Sequence, residues 1–179
     1  MKYSANELIA LPHNADLDHL GAVRCLLLRY PAARILHPVR LKQNAWEYGR
    51  RLDWFKTVKF NDLDFAAVKK IYLAGIGQTR QNPELIEEIA RYNPEVTLFS
   101  DRTATLPFAH ATIACSSLSL TAFLMNQLHD EGLRFSNDDL QLFKHAIVEK
   151  TWAGLSAKIK PADSRAFNFL QRQFSQPGR

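Results

Sequence analysis

The segment Leu11-Pro12-His13-Asn14-Ala15-Asp16-Leu17-Asp18-His19-Leu20-Gly21-Ala22 joins an apolar strand to a helix. Asp16 and Asp18 are two positions apart, and such side chains point to the same side of an extended backbone. Paired carboxylates at the carboxyl end of a strand suit a divalent metal ion. On the residues alone, an N-cap for the following helix is an equally good interpretation of the pair.

Apolar runs alternate with helical periodicity on both sides of this segment. The runs predict strands at 7–11, 33–36, 57–60, 70–74 and 95–99, and after residue 116 the pattern predicts helices alone, at 118–128, 138–149 and 162–174. Parallel neighbours need crossover connections, so this order predicts an α/β fold with a mainly parallel five-stranded sheet, helices on both faces and an all-helical C-terminal part. Ligands bind beyond the carboxyl ends of such strands, where Asp16 and Asp18 lie.

The composition is that of an ordinary globular domain. The 179 residues predict a single domain over 1–175, with 176–179 as a tail or the start of a linker. The polar N-terminus and the absence of a long apolar run predict a cytoplasmic protein without a membrane partner. Cys25 and Cys115 fit no metal or disulfide spacing and are predicted to be buried. A net charge of +5 permits a nucleotide or RNA partner, although such an excess is common on plain surfaces.

Two motifs carry a resemblance to a known family. Asp16, Asp18, Gly21 and Ala22 match the pattern Asp-x-Asp-x-x-Gly-Ala/Ser, and 146–151, Ala-Ile-Val-Glu-Lys-Thr, is similar to Gly-Ile-x-x-Asp-Thr. The chain thereby resembles the DHH phosphoesterase superfamily, most closely the DHH-type domain of some bacterial tRNA nucleotidyltransferase and poly(A) polymerase relatives. The resemblance implies a dinuclear Mn²⁺ or Mg²⁺ site that activates water against a phosphoester or phosphoanhydride.

Most of the metal ligands that the resemblance implies are replaced. The first family histidine falls on Pro12, the bridging aspartate on Gly75, the namesake triplet on Asp101-Arg102-Thr103, and the late aspartate on Lys150. Because two carboxylates alone bind these ions weakly, no metal cofactor is expected. Arg102 and Lys150 would instead place positive charge at ligand positions. We therefore expect Asp16 and Asp18 to be ion-paired with Lys150, Arg102 or both, within about 6 Å.

These substitutions predict a degenerate phosphoesterase-like domain that acts as a binding, scaffolding or regulatory module. Its ligand would be a phosphate-bearing small molecule, a nucleotide or RNA, held by Arg102, Lys150 and Arg80. The 75–80 turn is a weak candidate phosphate cradle.

Two alternatives stay open. One is an active Mn²⁺- or Mg²⁺-dependent phosphoesterase that uses Asp16, Asp18 and Asp101, since the alignment near Asp101 is uncertain by one residue. The other is the N-terminal domain of a larger tRNA-processing protein. His19 is interpreted as a surface or satisfied core residue, and Trp46, Trp54 and Trp152 as core or rim aromatics rather than a base-stacking platform.

Overall fold

Strands and helices alternate along the chain in the computed structural model, which describes residues 3–36, 40–76, 80, 82–100 and 106–175. The strands are β1 (Glu7–Ala10), β2 (Arg34–Leu36), β3 (Thr57–Val58), β4 (Lys70–Ala74), β5 (Glu95–Ser100) and β6 (Ala111–Ala114). The helices are α1 (Leu17–Arg29), α2 (Gln43–Gly49), α3 (Pro83–Tyr92), α4 (Leu120–Asp130), α5 (Asn137–Thr151) and α6 (Pro161–Ser175). Two 3₁₀ turns, Phe60–Asp62 and Phe65–Ala67, lie between β3 and β4.

The strands form one parallel sheet in the order β3-β2-β1-β4-β5-β6. The described sheet therefore has six strands, and the prediction of five is wrong. The strand that the sequence did not predict is β6, an edge strand of small and largely exposed residues whose side chains give no apolar alternation. The predicted strand over 57–60 is also shorter than expected, because the chain turns into a 3₁₀ segment at Phe60.

The strand order reverses direction between β1 and β4. From β1 the chain builds β2 and β3 on one side, and it then crosses to build β4, β5 and β6 on the other side. In a parallel α/β sheet the crevice at such a reversal, beyond the carboxyl ends of the strands, is the usual ligand site. Ala10 pairs with Leu73, so β1 and β4 end side by side there.

Helices cover both faces of the sheet, as predicted. Along β1, Leu8 and Ala10 belong to a core cluster on one face, which includes Leu85 of α3. Ile9 belongs to the cluster on the other face, where α1, α4, α5 and α6 pack together. A strand that is buried on both sides fits its nearly continuous apolar sequence.

Two helix starts follow their sequence signals. Ser136 and Asp139 form a capping box at the start of α5, with Oγ of Ser136 accepting the Asp139 N–H at 3.2 Å. Pro83 occupies the first position of α3, where a backbone N–H is not needed. Asn82 precedes it, but its side chain donates to the Leu11 carbonyl at 3.5 Å instead of capping the helix.

Cys25 and Cys115 are both buried, which confirms that prediction. In the part of the chain that the structure describes, every helix is too short or too polar to cross a bilayer. The cytoplasmic location stays a prediction.

Candidate functional site

The candidate site lies where β1 and β4 end. Asp16 follows β1 as the N-cap of α1, and Gly75 directly follows β4. Lys42, at the N-cap position of α2, and Lys150, in the last turn of α5, reach the same place. The site therefore combines one acidic segment with two lysines from distant parts of the chain.

Asp16 caps α1, which confirms the N-cap interpretation for this residue. Its Oδ1 accepts the His19 N–H at 3.3 Å and lies 2.5 Å from His19 Nδ1, and its Oδ2 lies 3.3 Å from Lys42 Nζ. The same ring nitrogen lies 3.3 Å from the Asp16 N–H, so the tautomer of the ring decides whether Nδ1 donates to the carboxylate or accepts from the backbone. Burial raises the pKa of Asp16, but the His19 contacts and the positive charge of Lys150 outweigh it and hold this pKa well below its usual range.

Asp18 is buried and belongs to the first turn of α1, with 3% of its surface exposed. The expectation that Asp16 and Asp18 share one side of an extended backbone is wrong, because the helix begins between them at Leu17. The Asp18 carboxylate accepts the hydroxyl of Ser119 at 2.6 Å and the N–H groups of Leu120 and Thr121 at 3.0 Å each. These three donors lie at the start of α4, so Asp18 caps α4 although it belongs to α1.

A second buried carboxylate completes the start of α4. Asp163 accepts the N–H groups of Leu118 at 2.8 Å, Ser119 at 2.9 Å and Lys160 at 3.0 Å. The N-terminal end of a helix attracts anions because its N–H groups lack partners within the helix. At α4 the carboxylates of Asp18 and Asp163 already fill that role, so an anionic ligand gains nothing there.

The predicted ion pair between Lys150 and Asp18 is present. Lys150 Nζ lies 3.9 Å from Asp18 Oδ2, and 27% of the Lys150 side chain is exposed. Asp101 and Arg102 lie outside the described residues, as do residues 77–79 of the candidate phosphate cradle. Arg80 is exposed, and its place in the site stays a prediction.

His19 fills the space beside Gly75, which the family resemblance aligns with a bridging aspartate. Gly75 has a φ of +76°, and a Cβ added to it would lie 2.6 Å from Cδ2 and Nε2 of the His19 ring. A side chain at position 75 is therefore incompatible with the observed His19 ring. The ring is hydrogen-bonded to Asp16, which fits the interpretation of His19 as a satisfied residue, and it also lies against Gly75.

The described residues do not fit the metal centre that the resemblance implies. Over the described ranges, no three His, Cys, Asp or Glu side chains are grouped so that they could hold a metal ion. Asp18 already accepts three hydrogen bonds, Gly75 offers no ligand, and the ammonium of Lys150 lies next to Asp18. A cation so close to a carboxylate repels an incoming metal ion.

Three contributors to the site are not predicted from the sequence. His19 had a local signal, since it stands three residues after the N-cap, where capping-box partners occur. Lys42 and Ser119 had none, because each meets its aspartate through the tertiary fold. Trp152 and Trp46 are 76% and 50% exposed, so neither is a core residue and the rim alternative remains for both, whereas Trp54 packs against the core.

Known proteins resemble this chain in their fold. No family model and no curated protein matches the sequence. Among solved structures, an exopolyphosphatase-related protein from Bacteroides fragilis is similar with a TM-score of 0.70 and 11% identity, over 96% of this chain and 53% of that chain. A putative family II inorganic pyrophosphatase from Methanococcus jannaschii is similar with a TM-score of 0.70 and 14% identity, over 96% of this chain and 57% of that chain.

The chain shares its fold with both proteins. At these identities the likeness shows the fold alone, and a relation to the DHH superfamily stays a prediction. The chain spans slightly more than half the length of either structure. A specific relation to tRNA nucleotidyltransferases stays a prediction.

Proposed function

We propose that this chain is a degenerate DHH-type module that binds a phosphate-bearing ligand without a metal ion. Lys150 and Lys42 hold the phosphate at the crevice between β1 and β4, and Arg102 and Arg80 are the further candidates that the sequence suggests. The names of the two structural neighbours, an exopolyphosphatase-related protein and a putative inorganic pyrophosphatase, support a ligand that contains phosphate.

The observation that supports the proposal is the unused hydrogen-bonding capacity of the Lys150 ammonium. Its partner Asp18 already accepts three shorter hydrogen bonds, and the 3.9 Å separation is longer than a hydrogen bond. Among the described residues, the three N–H donors of Lys150 have no hydrogen-bond partner, while its charge is held at the crevice. An added phosphate can therefore accept from this ammonium without displacing a contact that the fold needs.

Lys42 adds a second positive charge, next to Asp16. Its Nζ lies 3.3 Å from Asp16 Oδ2, and 54% of the side chain is exposed. An exposed ion pair of this kind contributes at most about 1 kcal/mol to stability. A phosphate can therefore replace Asp16 as the partner of Lys42 at small cost.

Calorimetric titration with inorganic pyrophosphate in EDTA tests the proposal. The native chain should bind, and Lys150→Ala should weaken binding about 10-fold or more, since a hydrogen bond to a charged group is lost. Lys70→Ala is the matched control, because Lys70 lies at the amino end of β4 and pairs with Glu95. Its affinity should equal that of the native chain.

Two results would overturn the proposal. One is an absence of binding in EDTA, or binding that Lys150→Ala leaves unchanged. The other is hydrolysis of pyrophosphate or a short oligonucleotide that requires Mn²⁺ and is lost in Asp16→Asn, which would show a working metal centre.

A further inference from the structure

The loop between α5 and α6 carries the two most exposed large apolar side chains among the described residues. Trp152 is 76% exposed and Leu155 is 85% exposed. Single apolar side chains are common on protein surfaces, whereas apolar side chains that cluster there mark an interaction surface. The described part of the chain provides no cover for this pair.

Hydrogen bonds hold the loop in an unusual backbone conformation. Trp152, Ala153 and Gly154 have successive φ values of +52°, +55° and +87°. Side chains disfavour this left-handed region, and runs of it persist only where surrounding contacts enforce them. Here the buried Thr151 accepts the Gly154 N–H on its hydroxyl at 3.3 Å, and the Val148 carbonyl accepts the Ala153 N–H at 2.8 Å. The loop is thus fixed by hydrogen bonds and not by burial of its apolar side chains.

Two consecutive turns keep the loop compact. The Leu155 N–H donates to the Trp152 carbonyl at 3.0 Å, and the Ile159 N–H donates to the Ser156 carbonyl at 3.1 Å. Each such turn brings Cα atoms three positions apart to within about 7 Å. The Ser156 hydroxyl also accepts the Lys158 N–H at 3.3 Å. Trp152, Leu155 and Lys158 therefore share one small part of the surface.

The same loop carries positive charge. Lys158 and Lys160 are both exposed. The sequence has no acidic residue between Glu149 and Asp163. Asp163 is only 1% exposed, and its carboxylate accepts three backbone N–H groups inside the structure. The loop thus combines two apolar side chains with lysines that no acidic residue of the loop balances.

The apolar surface does not continue onto the helix that follows the loop. The first exposed residues of α6 after Pro161 are Ser164, Arg165 and Asn168, which are all polar. One tryptophan covers at most about 250 Å², whereas a stable protein interface buries about 800 Å² on each side. A lipid surface requires no such area, because apolar insertion and attraction to anionic lipids add together there.

The chemistry of the loop suits the boundary between lipid headgroups and acyl chains. Indole rings are enriched at that boundary because the ring is largely apolar and its N–H stays hydrated. Lysines beside an inserted apolar group are attracted to anionic lipids. We infer that the chain docks onto an anionic membrane surface through this loop, with Trp152 and Leu155 at the boundary and Lys158 and Lys160 at the headgroups.

The membrane contact is independent of the proposed phosphate site. It differs from the expectation of no membrane partner, which depended on the absence of a long apolar run in the sequence. A surface loop binds a bilayer without crossing it, so that criterion does not apply to the loop.

Co-sedimentation with vesicles in EDTA tests the inference. The native chain should bind vesicles of phosphatidylcholine with about 30% phosphatidylserine, and added salt should weaken binding because it screens the lysines. Each lysine near such a surface changes the affinity about 5-fold, so Lys158→Ala combined with Lys160→Ala should weaken binding about 25-fold. Trp152→Ala or Leu155→Ser should weaken it about 10-fold or more, since less apolar area enters the bilayer.

Matched variants control for a general loss of charge or of apolar surface. Lys69→Ala combined with Lys70→Ala removes two positive charges at the start of β4. Tyr92→Ala removes an aromatic side chain that is 43% exposed at the end of α3, on the opposite face of the sheet from α5 and α6. Both controls should bind vesicles as the native chain does, and circular dichroism checks the fold of every variant.

Four results would overturn the inference. The first is an absence of vesicle binding, or equal binding with and without phosphatidylserine. The second is vesicle binding that Trp152→Ala leaves unchanged. The third is loss of vesicle binding in excess pyrophosphate at constant ionic strength, which would place a lipid headgroup at the crevice instead. The fourth is self-association in light scattering that Trp152→Ala abolishes while vesicles are not bound, which would make the loop an interface between copies of the chain.

Discussion

The N-termini of α1 and α4 are both capped by an aspartate of the same short motif, but the two caps differ in kind. Asp16 caps its own helix through a residue three positions away and remains in reach of the lysine at position 42. Asp18 is buried and caps a helix that begins about 100 residues later in the chain. The comparison shows that one carboxylate of the pair belongs to the crevice, whereas the other holds the helical layer together.

Removal of the Asp18 side chain should give the largest loss of stability. Asp18→Ala leaves three donors at the start of α4 without their acceptor and leaves the charge of Lys150 without its partner. Breaking a buried ionic network in this way costs about 3 to 5 kcal/mol. Urea denaturation followed by circular dichroism measures the change. Should Asp18→Ala lower the free energy of unfolding no more than Asp16→Ala does, the two caps are equivalent and the comparison is wrong.

Gly21 offers a second way to disturb the Asp18 junction. A Cβ at this position would lie 2.5 Å from Thr121 Oγ1 and 3.2 Å from Ala146 Cβ. Overpacking costs typically about 1 to 3 kcal/mol, partly offset by the higher helix propensity of alanine, so Gly21→Ala should lose about 2 kcal/mol in urea denaturation.

A double-mutant cycle identifies the cause of that loss. In a Thr121→Ala background the clash is removed, and Gly21→Ala should then be close to neutral. Equal losses in both backgrounds would mean that the contact with Thr121 is not responsible.

Changes at Asp16 should be milder and should depend on pH. Asp16→Ala removes an N-cap and should cost about 1 kcal/mol, whereas Asp16→Asn keeps a capping side chain and removes only the charge. Because the pKa of Asp16 is lowered in the folded chain, its contribution is present above the unfolded value of about 3.9 and is lost as the pH falls below it. In urea denaturation between about pH 5 and pH 2, the native chain should therefore lose more stability than Asp16→Asn. Parallel profiles for the two proteins would contradict this assignment.

The smallest effect is expected at Lys42. Its contact with Asp16 is largely exposed, so Lys42→Met should change the free energy of unfolding by less than about 1 kcal/mol at neutral pH. The same substitution should weaken pyrophosphate binding if Lys42 serves the crevice. If Lys42→Met lost as much stability as Asp18→Ala, the ion pair between Lys42 and Asp16 would also have a structural role.

The sequence allowed the parts of this structure that depend on local patterns to be predicted. Five strands, helices on both faces, the capping box at Ser136 and the N-cap at Asp16 each follow from neighbouring residues. The edge strand β6 was missed because its short, small and exposed side chains give no periodic signal. The role of Asp18 could not be predicted, since the donors that it serves are brought to it only by the packing of α4 against α1.

Among the described residues, the predicted site contact that the structure shows is an ion pair, which opposite charges alone suggest. The contact between Lys150 and Asp18 is predictable because the motif resemblance aligns Lys150 with a position close to the paired aspartates. His19 was overlooked because a ring that fills the space next to a glycine depends on the geometry of two strand ends.

The span between Asp18 and Ser119 also has a consequence for synthesis of the chain. At a translation rate of about 5 to 20 residues per second, the 101 positions that separate them take about 5 to 20 s to be added. During that time Asp18, in the first helix, lacks the hydrogen-bond donors of α4 and the lysine that pair with it in the folded protein. The nascent N-terminal segment therefore cannot reach its final arrangement on the ribosome until the fourth helix emerges.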